Sequence, residues 1–74
     1  MITVTDVDSK LVWESPESTV EEACAEATLA FAVLEPSATN FFLCVEHNGE
    51  KQYLEARIEV RRCVTFHEVS EEDL

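Results

Sequence analysis

A small α+β fold, with one helix laid across an antiparallel sheet of three to five strands, is predicted by three features of the 74-residue sequence. One is a run of two-residue alternation on either side of Asn48-Gly49, and another is a block of helical periodicity ahead of Pro36. The third is length: a chain this short supports one domain, expected over residues 1–74. The expected order is β-β-α-β-β, with the last strand either long or split. A sheet carrying one helix makes two layers, so each element buries one face.

The first elements are extended. "ITVT" (Ile2–Thr5) alternates apolar and β-branched residues, "KLVWE" (Lys10–Glu14) is a second short candidate, and "DVDS" between them is polar enough to turn. Residues 2–14 therefore read as a hairpin or two short strands. In "SPESTVEEACAEATLAFAVLEP", Ser15 before Pro16 is a candidate N-cap, and Ser18 with Glu21 offers a capping box one turn later. Carboxylates at Glu17, Glu21 and Glu22 suit the positive end of a helix dipole. Val20, Ala23, Cys24, Ala27, Ala30, Phe31 and Leu34 recur at helical spacing, and Pro36 ends the run. Leu29, Phe31 and Val33 also alternate as a buried strand would, but the alanines and the unbroken run from Thr19 favour helix.

The hairpin fixes its own register. Asn-Gly suits a two-residue turn in which both residues take positive φ. Such a turn sets His47 opposite Glu50, Glu46 opposite Lys51, Cys44 opposite Tyr53 and Leu43 opposite Leu54. Leu43–Leu54 and Phe41–Ala56 then share one face, with Glu46–Lys51 on the other. Beyond them Ile58, Val60, Val64 and Phe66 continue the alternation, which Arg62 interrupts. Either one long strand is bent or bulged near Arg61-Arg62, or the chain turns there. The acidic end, residues 69–74, is expected to fray.

Few residues point to chemistry. Cys44 and His47 (C-x2-H) with Cys63 and His67 (C-x3-H) resemble zinc spacing, but three residues along a strand point to opposite faces. The two pairs stay far apart unless the chain reverses at Arg61-Arg62, so neither metal nor cofactor is expected. Cys24 falls on the apolar stripe of the helix and reads as a small core residue. The sequence has no nucleophile elbow, phosphate loop or dinucleotide fingerprint, and the expectation is a protein that is not an enzyme.

Charge is the strongest functional signal. Sixteen acids against five bases give a net charge of −11, which repels nucleic acid and anionic membrane and suits a basic protein surface. The candidate contact residues are Glu17, Glu21, Glu22, Glu26, Asp6 and Asp8. Helix neighbours four apart lie about 5–6 Å from each other, close enough to a phosphate repeat for a carboxylate row to imitate a nucleic-acid strand. The expected function is thus a non-enzymatic protein–protein interaction module, an inhibitor that occupies a nucleic-acid-binding surface. By compositional association alone, such chains recur among phage and mobile-element proteins that block host nucleases. The alternative is a small assembly subunit that self-associates through surplus apolar residues: Phe42, Cys44 and Tyr53 on the hairpin, or Leu29 and Val33 on the helix. A homodimer through the hairpin face is expected, because that face is nearly neutral. No secretory leader or membrane span is read from the sequence, and three cysteines cannot all pair within one chain, so a reducing, cytoplasmic setting is expected.

Overall fold

The computed structural model describes residues 1–16, 19–60 and 63–74. It holds one helix and five antiparallel strands in a single sheet, a small α+β domain. In chain order these are β1 (Ile2–Asp6), β2 (Val12–Ser15), α1 (Val20–Leu34), β3 (Asn40–His47), β4 (Glu50–Val60) and β5 (Cys63–Val69), followed by a single 3-10 turn, Glu71–Asp73. The strand order across the sheet is β2-β1-β3-β4-β5.

The β3–β4 hairpin has the register its turn dictates, from His47↔Glu50 through Leu43↔Leu54 to Asn40↔Arg57. Asn48 and Gly49 both take positive φ, 54° and 79°. The last strand is split. Val60 pairs with Cys63 and Tyr53 with Val69, so the chain reverses between β4 and β5, with a register shift between Ile58 and Val60. Arg61 and Arg62, where a bulge or turn was expected, lie outside the described residues. Val69 belongs to β5 rather than to a loose tail, and the acidic end beyond it folds into the 3-10 turn.

The helix begins later than its first start signal. Ser15 ends β2 and is buried, so it is not the N-cap. Thr19 caps instead, its Oγ1 accepting from the Glu22 N–H at 3.3 Å. The predicted box at Ser18 lies outside the described residues. At the other end the Glu35 N–H still donates to the Phe31 carbonyl, and Pro36 follows. The buried stripe is Ala23, Cys24, Ala27, Thr28 and Phe31. Leu34, expected on it, is exposed and Thr28 takes its place, with its hydroxyl satisfied by the Cys24 carbonyl at 2.7 Å.

Ile2, Val4, Phe41, Leu43, Val45, Leu54 and Ala56 line the face of the sheet beneath α1, and Phe31 meets Phe41 with ring centroids 6.2 Å apart. The helix sits over β1, β2 and β3. Trp13 is on this inner face too, opposite Val4, and its buried Nε1–H has no partner among the described residues.

Candidate functional site

The antiparallel ladder sorts the acids by height along the strands. At the end of the sheet carrying the Asn48-Gly49 turn lie the start of β1 and the finish of β2, where Ile2 pairs with Ser15 and Thr3 with Glu14 and Glu46; β5 runs toward the same end but its last pairing, Tyr53 with Val69, is level with Cys44 and Thr5. The start of α1 follows from β2 at this same end, and Ser15 Oγ donates to Glu26 Oε2 at 2.9 Å across the layers. Glu14, Glu21, Glu22, Glu46 and Glu50 therefore gather at this end, approached from β5 by the 3-10 turn of Glu71, Glu72 and Asp73, and all of them are exposed; Glu68 lies lower, aligned through Leu54 and Leu43 with Asp6. Lys51 is the one Lys or Arg among the described residues at this turn end. The tyrosine beside the cluster registers it. The Tyr53 hydroxyl is pushed up, first by loss of water around it and then by the nearby charge of Glu71, by the Cys44 thiol and by Glu46.

Not every expected acid joins. Glu21 and Glu22 do, whereas Glu26 is partly buried and its carboxylate holds Ser15, tying the helix to β2. Asp6 and Asp8 lie at the opposite end, because the whole of β1 separates them from the helix start. Asp6 is moreover only 2% exposed, with Oδ1 accepting from the Asp8 N–H at 3.0 Å inside the β1–β2 turn. It has no carboxylate to offer a partner. Glu17 lies outside the described residues. Glu46 and Glu50 were not expected in the cluster. The hairpin register already put Glu46 and Glu50 beside the turn, but only the sheet order shows that the helix start lies at the same end.

No protein-family model matches this chain, and no curated protein or solved structure matches it.

The two apolar sets occupy different surfaces. Phe42, Cys44 and Tyr53 project from the outer sheet face, away from α1, and each is half-buried. Their neighbours across the ladder are polar: Phe42 opposes Glu55, and Cys44 lies between Thr5 and Tyr53. Glu55 is held below its ordinary range by hydrogen bonds from Arg57, at 2.9 Å, and from Asn40. A mixed face of this kind tolerates water, as one face of an antiparallel sheet commonly does. Leu29 and Val33 stand on the solvent side of α1, 55% and 80% exposed, with Leu34 beside them at 64%. The large bare aliphatics are on the helix, not on the hairpin.

Next to α1 the inner face stays open. A groove of about 600 Å³ runs between the first two turns of the helix and β4–β5, lined by Val20, Cys24, Leu54, Val64 and Phe66 with exposed Glu21 on its rim. Burial pushes the Cys24 thiol up to about 11, so it is a protonated apolar group at neutral pH rather than a nucleophile.

Reversal between β4 and β5 reopens the zinc question, and the ladder answers it. Cys44 aligns through Tyr53 with Val69, six residues along β5 from Cys63. At about 3.3 Å per residue that is some 20 Å of strand. His67 aligns through Glu55 with Phe42, not with Cys44. No three of His, Cys, Asp and Glu come together at a metal-holding distance among the described residues. Nor is any helix among them long and apolar enough to cross a membrane.

Proposed function

We propose that this chain is a non-catalytic binding module that sets its acidic turn end against a basic protein surface, and that it inhibits by occupying ground a nucleic acid would otherwise use. One observation supports this reading above the others: the surplus negative charge is concentrated, not spread. The helix start, the hairpin tip and the 3-10 turn come from distant parts of the sequence, yet their carboxylates share one end of the sheet. A field of one sign steers a basic partner into place and discourages acidic ones. Arg57 and Glu55, by contrast, neutralise each other on the outer face.

The test is competition. The chain is titrated against a basic nucleic-acid-binding protein loaded with a labelled duplex, and the duplex should be displaced at low salt and retained in about 0.5 M NaCl. Replacing Glu21, Glu22, Glu71 and Glu72 together by Lys should abolish displacement, because these side chains are exposed and hold no buried contact. Displacement that survives both the salt and the charge reversal would defeat the proposal. An assembly subunit, the second reading, is favoured by the bare aliphatics of α1, and it would retain its self-association in the same charge-reversed variant.

A further inference from the structure

The two edges of the sheet are unlike. At one, β2 is only four residues long and Pro16 follows it directly. Shortness and proline are common ways of closing an edge to further pairing. At the other, β5 runs for seven residues, Cys63–Val69, with no proline, glycine or lysine among them. Neither device closes that edge.

The ladder shows which backbone groups it presents. Ile58 N–H donates to the Thr39 carbonyl at 2.9 Å, so the even-numbered residues of β4 bond toward β3. The odd-numbered ones bond toward β5, through the pairs Tyr53↔Val69, Glu55↔His67 and Arg57↔Thr65. Val64, Phe66 and Glu68 therefore turn N–H and C=O away from β4, to an edge where no further strand stands among the described residues. Their side chains take the inner face, opposite Ile58, Ala56 and Leu54. Val64 and Phe66 are half-buried and line the groove beside α1, and Glu68 is exposed.

A strand added here lies about 4.8 Å beyond β5 and sets alternate side chains beside Val64 and Phe66. In such an addition the backbone bonds supply affinity and the alternate side chains supply specificity. We infer that β5 accepts an extended segment of the basic partner, antiparallel like every other pairing of the sheet, with a Lys or Arg opposite Glu68 and apolar side chains opposite Phe66 and Val64. The partner's positive sign rests on the function proposed above; the edge and its register do not.

Charge selects the occupant. Glu68 is an inward-facing charge on an edge strand, which deters a neutral strand because pairing would desolvate a carboxylate without a counter-charge. A base opposite removes that cost. In sequence, Arg61 and Arg62 precede β5 while Glu71, Glu72 and Asp73 follow it, so the base belongs at the Glu68 end. Glu21, on the rim of the groove, adds to the same field. A second copy suits the edge less well. It carries −11 itself, and antiparallel pairing about Phe66 sets Glu68 of each copy against Val64 of the other.

Peptides of seven residues, the length of β5, test this against the full chain. Thr-Lys-Thr-Val-Thr-Val-Thr, with blocked ends, carries the inferred pattern, and Thr-Glu-Thr-Val-Thr-Val-Thr differs only in charge. The lysine peptide should bind about 10-fold tighter, as an opposite-charge pair compared with a like-charge one. In Glu68→Lys the order should reverse, with far-UV dichroism unchanged because the side chain is exposed. Amide exchange followed by NMR should show Val64, Phe66 and Glu68 slowed about 10-fold or more by the lysine peptide. Thr65 and His67, already bonded to β4, should not change. Edge amides that are slow in the dilute free chain overturn the inference, because the edge is then already taken, by a second copy if light scattering shows a doubled mass. So does binding that leaves those amides unprotected, a preference that Glu68→Lys does not reverse, or no saturable binding of the lysine peptide. No nucleic acid is present, and Glu68 is not among the residues reversed in the displacement assay, so either result can fail without the other.

Discussion

Beneath α1, the side chains of β1 and β3 are sealed, with Ile2, Val4, Leu43 and Val45 at most 1% exposed. On β4 and β5, one or two strand-widths across the same face, Ile58, Val64 and Phe66 remain half in water. Both halves are built from the same alternating apolar residues. What separates them is distance from the helix: Leu54 and Ala56 of β4 are still buried, and cover thins toward Ile58, Val64 and Phe66. Alternation thus decides which face a side chain takes, and the second layer decides whether that face is a core or a binding surface.

The comparison breaks most readily in the sealed half. Leu43→Ala removes a wholly buried side chain between two neighbouring strands and should cost about 3 kcal/mol by urea unfolding. For so small a chain that is a large part of the total. A loss under 1 kcal/mol would mean that the sealed half is looser than its burial implies.

Cys24 stands at the border, fully buried yet lining the groove. Burial pushes its folded value up to about 11, which sets a pH window. Below about pH 9 the thiol is protonated in both states and its contribution is intact. Between 9 and 11 only the unfolded chain ionises, so stability falls as pH rises, by on the order of 2 kcal/mol. The fall should be steeper in the native chain than in Cys24→Ala, compared by urea midpoints from pH 8 to 10.5. Equal slopes would show that Cys24 is in contact with water.

Phe66→Ala in the open half should cost about 1.5 kcal/mol, half or less of the Leu43→Ala effect, when measured dilute enough to hold the single chain. If both substitutions cost the same, Phe66 is as well covered as Leu43 and the two regions are not different. The smallest effect lies outside the face. Thr19→Ala deletes the hydroxyl that accepts from Glu22 N–H and should lower stability by about 1 kcal/mol, with Thr19→Ser restoring it. No change would mean that the helix start is held by something other than its cap.

Much of this was legible locally. Asn48-Gly49 admits essentially one tight turn, and the turn fixes eight pairings of β3 with β4. The helix announced its stop at Pro36 but not its start, because Ser15, Ser18 and Thr19 all offer capping oxygens and only the end of β2 chooses among them. Asp6 was misjudged as a surface acid for a related reason. A carboxylate one residue beyond an alternating strand reads as solvent-facing, but here it closes the turn to β2 from inside, with its N–H bound to the Leu11 carbonyl.

The sequence by itself determined the element types, the hairpin register, the inner and outer faces of β3 and β4, and the excess of carboxylates. These depend on period, turn chemistry and composition, which act over a few residues. Only the tertiary structure decided that the chain reverses after Val60, that β1 inserts between β2 and β3, and that Ile58, Val64 and Phe66 are only partly covered. The insertion of β1 beside β3 joins residues 37 to 43 positions apart, and the reversal pairs residues up to 16 apart across a turn with no glycine or proline to announce it. These choices determine which carboxylates stand together at the turn end and which apolar side chains are left only partly covered. No local pattern encodes them, because each depends on what an element packs against rather than on what it is made of.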